Sequence, residues 1–207
     1  MLSSEERLNI DKLLNIVNIV DTLSSIPRVG WVQRGLSKFE AEDVGKHILL
    51  TSYVGLSLCC EYREICEDKD VNCDSVVTLC LIHDLHEANI GNISGNVRKL
   101  IPNFRQIELK QLEELLKDYP KYIRQYVGMK FLNYRESKSI EALITNIADK
   151  LSTLLRALSY YLRGYRQVID LIHNYTSEVV RLLNYIKCSE FREEIQNILH
   201  QFRKFLS

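Results

Sequence analysis

The sequence predicts an all-α protein. Apolar residues recur at three- and four-residue spacing over long stretches, and no segment alternates with period two. The 207 residues include only 8 Gly and 3 Pro, few for a turn-rich β-sandwich or barrel. With 46% hydrophobic and 26% charged residues, the chain can bury a sizeable core and is not intrinsically disordered. Its length fits one domain.

Seven or eight helices are expected. The first starts after a cap at Ser3 or Ser4, with Glu6 as the capping-box partner of Ser3, and runs to about residue 23. A non-periodic loop follows at 24–35, carrying Arg28, Arg34, the single tryptophan Trp31, Gly30 and Gly35. A second helix, about 42–66, is apolar all round His47, the mark of a helix buried on all sides. A third runs from about 74 to 90 and stops at Gly91. Residues 92–103 form a loop or broken helix. Helices then cover about 104–118, 121–134, 139–163, 165–186 and 189–205, separated at Pro120, Gly164 and Cys188-Ser189.

Charge and cysteine content narrow the function. Lys plus Arg number 27 and Asp plus Glu number 27, a balance that counts against general nucleic-acid binding. No apolar run approaches the roughly 18 residues of a membrane span. The polar opening Ser3-Ser4-Glu5-Glu6-Arg7 reads as no secretory leader, and the six cysteines show no C-x-x-C spacing. Free thiols, a soluble protein and a cytoplasmic location are therefore expected.

The sharpest local feature is Leu81-Ile82-His83-Asp84-Leu85-His86-Glu87-Ala88. At about 100° per residue on one continuous helix, Glu87 falls angularly between His83 and Asp84, and His86 falls on the other flank. That arrangement suits a metal held by His83 and Asp84 with Glu87 aimed at water. An exposed polar patch, with His83 and Glu87 as an i,i+4 pair, is the bland alternative. His47 offers a second imidazole or a hydrogen-bonded core histidine. Asp149 lies opposite the apolar stripe of its helix among Ala142, Thr145, Asn146, Ser152 and Thr153. Small residues there predict burial on two sides, and a buried aspartate must be paired, hydrogen-bonded or metal-bound. Two imidazoles and two carboxylates suit one divalent ion such as Mn, Co, Ni, Fe, Zn or Mg.

His47, His83-Asp84 and Asp149, in that order on a helical chain, resemble the H…HD…D signature of the HD-domain metal-dependent phosphohydrolases. The Arg28-x-x-Trp31 loop and the run from His83 to Ile93 are similar to the 5′-deoxynucleotidase-like branch. The resemblance covers roughly residues 8–163 and implies an HD-domain helical bundle with additional C-terminal helices. It implies His47, His83, Asp84 and Asp149 as metal ligands, and Glu87 as the acid that positions or deprotonates the attacking water. The resemblance implies that Asp84 is both ligand and catalytic residue. Arg28, Trp31, Arg34 and Asn92 are implied to bind substrate. Two positions depart from the family pattern: Lys46, before the first His, and Asn92, where Asp is usual.

The leading expectation is hydrolysis of a (deoxy)ribonucleoside 5′-monophosphate to nucleoside and phosphate. A phosphodiesterase, a nucleoside tri- or polyphosphate hydrolase and a non-catalytic nucleotide-binding protein remain open. The expected partner is a small nucleotide, with no nucleic acid and no membrane. The resemblance favours a homodimer, and the helices at about 165–205 either complete the core or build its interface.

Overall fold

The computed structural model describes residues 7–137 and 139–206. Among them all regular structure is helical; the one β feature is an isolated antiparallel bridge between Pro27 and Asp43. The chain divides into two compact units: Met1–Ile48 with Ile82–Arg135, and Leu49–Leu81 with Glu136–Ser207.

The first unit opens with α1, Ile10–Ser25, capped by Asn9, whose side chain accepts from Lys12 N–H at 3.0 Å. The cap expected at Ser3 or Ser4, with Glu6, lies outside the described residues. The expected loop at 24–35 contains one helical turn, α2 (Val29–Val32). Its base is pinned to the approach of α3 (Val44–Ile65): Arg28 N–H donates to Glu42 O at 2.9 Å, and Val44 N–H to Ile26 O at 3.0 Å.

The third expected helix is not continuous. α4 spans Cys73–Ile82, residues 83–86 form a turn, and α5 (Glu87–Ile90) resumes for one turn. His83 and Asp84 therefore leave the end of a helix instead of lining its face. His83, His86 and Glu87 are each 0% exposed, so all three need polar partners in the interior. Gly91, with φ +73°, closes α5. The unit continues through α6 (Gly95–Arg98), α7 (Phe104–Leu115) and α8 (Lys121–Glu136), and α5 packs against α1 and α7.

The second unit contains α9 (Ile140–Leu162), a 3-10 turn at Arg166–Val168, α10 (Ile169–Leu183) and α11 (Ser189–Lys204). α9 is buried on two sides, as its small residues predict: Ala142, Thr145, Ser152 and Thr153 are all buried opposite Ile144, Ile147 and Leu154. Thr51 and Ser152 hydroxyls meet at 2.8 Å. Gly55 permits an equally close approach, because a Cβ there would lie 2.6 Å from Cys80 Sγ. α10 packs on α9 and α11, burying Val179, Leu183, Phe191 and Ile195, so these helices supply core.

The cysteines correct the expectation of free thiols. Cys59 bonds Cys73 and Cys66 bonds Cys188, with Cα separations of 5.5 and 6.0 Å. Cys59 stands on α3 and Cys66 just past its end, and each pairs with a remote cysteine, a relation that C-x-x-C counting does not test. Cys60 and Cys80 form no disulfide. Among the described residues no helix is long and apolar enough to cross a membrane.

Candidate metal centre and active site

His47 enters from the first turns of α3, while His83 and Asp84 come from the turn after α4. Their ligating atoms converge. The two Nε2 atoms are 3.4 Å apart, and Asp84 Oδ2 lies 3.2 Å from His83 Nε2 and 3.9 Å from His47 Nε2. Ligand atoms about 2.1 Å from one ion stand roughly 3.0–3.4 Å from each other. Two of the three separations match that spacing and the His47–Asp84 one is wider; the three donors form a group that could hold one ion, and both imidazoles are 0% exposed. The His83 ring is wedged edge-on against Tyr134 of α8, centroids 5.7 Å apart.

The electrostatics separate the two acids. Burial works against ionisation of Asp84, but the charge and hydrogen bond of His83, with Arg98 and His47 nearby, hold it well below the usual carboxylate range. Glu87 goes the other way. Burial first, then the Asp84 charge, push its pKa up to about 7, against the pull of Arg98, Asn92 and Arg28. One carboxylate is suited to permanent charge and the other to proton transfer near neutrality.

Arg28 sits beside the imidazoles. Its Nη1 lies 3.2 Å from Glu42 Oε2 and 3.1 Å from His47 Nδ1, and its guanidinium stands 5.8 Å from the Trp31 ring centroid. Trp31 is 1% exposed, so it packs in the interior beneath Arg28. Arg34 turns back to donate to the Gly30 carbonyl at 2.9 Å. Asn92 donates to both Glu87 oxygens and accepts from Val29 N–H at 2.8 Å. Lys46 is exposed and pairs with Asp43 at 2.7 Å.

His86 forms a second close group with Asp84 and Glu87, but its Nε2 lies 3.3 Å from Glu108 and its ring packs on Phe131. Asp149 belongs to the second unit. It is 7% exposed, its carboxylate is 2.8 Å from Lys150 Nζ, and its charge adds to the burial that pushes the Cys80 thiol up to about 12.

Four charged residues escape sequence reasoning: Glu42, Arg98, Glu108 and Arg135. Glu42 and Glu108 are each 2% exposed. Glu108 had a readable signal, because it interrupts the i,i+4 stripe Phe104, Glu108, Leu112. Glu42 had none, since its burial comes from the Pro27–Asp43 bridge.

The HD-domain family model matches residues 20–187, a span that includes His47, His83, Asp84 and Asp149. The chain belongs to the HD-domain family. Among curated relatives, 5′-deoxynucleotidase HDDC2 of Bos taurus is 29% identical over 151 residues, 72% of this chain and 67% of that protein. The Homo sapiens protein of the same name is 28% identical, covering 72% of this chain and 68% of its own length. Among solved structures, a protein of Pyrococcus horikoshii OT3 matches this HD-domain chain with TM-score 0.73 at 24% identity, covering 92% and 99% of the two chains. An HD-domain phosphohydrolase of Listeria innocua matches with TM-score 0.71 at 15% identity, covering 92% and 89%.

Proposed function

We propose that this HD-domain protein is a metal-dependent phosphohydrolase that cleaves (deoxy)ribonucleoside 5′-monophosphates to nucleoside and phosphate. One observation carries the reading: three metal-ligating atoms converge beside a wholly buried glutamate whose pKa stands near 7. The names of the curated relatives support the substrate class.

His47, His83 and Asp84 would hold the divalent ion, and Asp149 keeps the fourth-ligand role given by the H…HD…D resemblance. An Asp149→Ala variant with Mn affinity as readout tests that role. A bound divalent ion polarises a phosphoryl oxygen and makes water more acidic. Glu87 accepts the proton of the attacking water, and its near-neutral pKa matches that task. An imidazole that ligates through Nε2 carries its proton on Nδ1. With the ion held there, His47 would no longer accept from Arg28, and that N–H would be left for the phosphate. A guanidinium presents five donors in a rigid fork, so Arg28 can keep Glu42 while neutralising charge on the transferring group.

Trp31 and Arg34 support the same loop, Trp31 from beneath Arg28 and Arg34 through Gly30. A homodimer and a cytoplasmic location complete the proposal. Two disulfides accord with that location only in organisms whose intracellular proteins carry them, as in hyperthermophiles.

A nucleotide panel tests the substrate class. Phosphate release from dAMP, dTMP or AMP in the presence of Mn or Co, with none from cyclic or triphosphate nucleotides, is the expected result. Turnover confined to cyclic nucleotides or triphosphates would replace the monophosphatase reading with one of those activities.

A further inference from the structure

The groups that hold the Glu87 carboxylate all lie outside the His83-Asp84 turn that precedes it. Asn92 reaches both oxygens from the loop after α5, and the guanidinium of Arg98, at the end of α6, meets Oε1. Arg98 is fixed on three sides: Nε donates to the Ile93 carbonyl at 2.8 Å, Nη1 lies 3.4 Å from Glu108 Oε1, and Nη2 takes Glu87. The same Glu108 oxygen receives Arg135 Nη2 at 2.6 Å. Arg135 in turn stands over the rings of Phe131 and Tyr134 on its own helix.

Charges thus alternate in a row, Glu87, Arg98, Glu108 and Arg135, across α5, α6, α7 and α8. Both carboxylates are at most 2% exposed. A buried ionic row is a poor way to stabilise a fold, because apolar side chains of the same volume do so at smaller desolvation cost. What the row does provide is a fixed position for its first member. The Arg98 side chain is 25% exposed, and gripping a phosphate in a bidentate fork would take it off the carboxylates it now joins.

We propose that Arg98, braced by Glu108, is a positioning residue that holds the Glu87 carboxylate against the His83-Asp84 turn, and that it does not contact substrate. The catalytic consequence rests on the phosphohydrolase reading; the positioning itself does not. One Glu87 oxygen lies within 4.8 Å of an Asp84 carboxylate oxygen in this arrangement. Without Arg98 the glutamate has only the Asn92 amide to hold its side chain, and the loss of a second fixed donor lets it turn.

The test combines thermal unfolding with steady-state kinetics on the full chain. In unfolding, Arg98→Met is expected to lower the melting midpoint in the wild-type background and to lower it by less than half as much in a Glu87→Gln background. In Mn-loaded enzyme, Arg98→Met is expected to lower kcat on dAMP by about a hundredfold, as a misplaced catalytic group does. KM and Mn affinity stay within about threefold of wild type. Free guanidinium restores part of the kcat of Arg98→Ala. Arg98→Lys keeps the charge without the fork, and serves where Arg98→Met does not fold; it too is expected to lose kcat with KM unchanged. Equal midpoint losses in the two backgrounds overturn the proposal. So does a raised KM with kcat unchanged, the behaviour of a phosphate ligand. If wild type cleaves no phosphomonoester, the functional reading fails, and the unfolding comparison still decides whether Arg98 holds Glu87.

Discussion

The side-chain amide of Asn92 donates to both oxygens of Glu87, at 3.1 and 2.9 Å, while its carbonyl oxygen accepts from Val29 N–H at 2.8 Å. One side chain therefore ties the buried glutamate to the turn that carries Arg28. Only an amide does both. An aspartate could accept from Val29, but it would face Glu87 as a second anion.

Asn92→Asp should accordingly be costly where both acids are ionised. At pH 8 the variant is expected to lose about 1–3 kcal/mol of stability, the scale of a hydrogen bond to a charged group left unmade. At pH 5 the loss should shrink, because one of the two carboxyls takes up a proton. Denaturant unfolding at the two pH values checks this, and an equal loss at both would count against the bridge.

Glu87 also shapes the pH dependence of the metal-free protein. Its pKa is pushed up from 4.5 to about 7, so between those values the folded state binds more protons than the unfolded one. Wild-type stability therefore falls as pH rises through that window. Glu87→Gln removes this slope, so the variant should gain on wild type from about pH 4.5 to 7 and then keep a constant lead. Asp84 acts in the opposite window: its lowered pKa contributes stability that is lost as pH falls below about 3.8. Melting midpoints of wild type and variant across pH 3 to 9 give the comparison, and parallel curves would refute the assignment to Glu87.

The two disulfides predict a redox-dependent stability. Cys59–Cys73 and Cys66–Cys188 span 14 and 122 residues. Closing such loops restricts the unfolded chain by about 3 and about 5 kcal/mol on the loop-entropy account. Reductant should lower the melting midpoint, and alkylation of the unreduced, denatured chain should label two thiols. Labelling of all six would show that the pairs do not form.

The sequence made the helical class legible because long 3.6-residue patterns survive tertiary context, as in α9 and α10. It also singled out residues that lie close together in the first unit: His47, His83 and Asp84 converge, and Glu87 lies near Asp84. Its geometry for them was wrong. The angular argument assumed a helix through His83 to Glu87, whereas a turn separates α4 from α5 there. Apolar periodicity continues through such a turn, so only burial of its polar side chains reveals it. Arg98 and Arg135 were illegible for a related reason. Nothing in a lone arginine distinguishes a solvated side chain from one joined to a buried glutamate on another helix. Cys188 was equally silent, since its partner, Cys66, lies 122 residues away in the sequence.

The most direct test is phosphate release from dAMP by wild type and Glu87→Gln at equal, measured Mn occupancy. Wild type should release phosphate only with metal, and the variant should keep its Mn while kcat falls by about 10²–10⁴, the usual contribution of a general base. Equal turnover by the two proteins at equal occupancy, or phosphate release that survives chelation of the metal, would contradict the account.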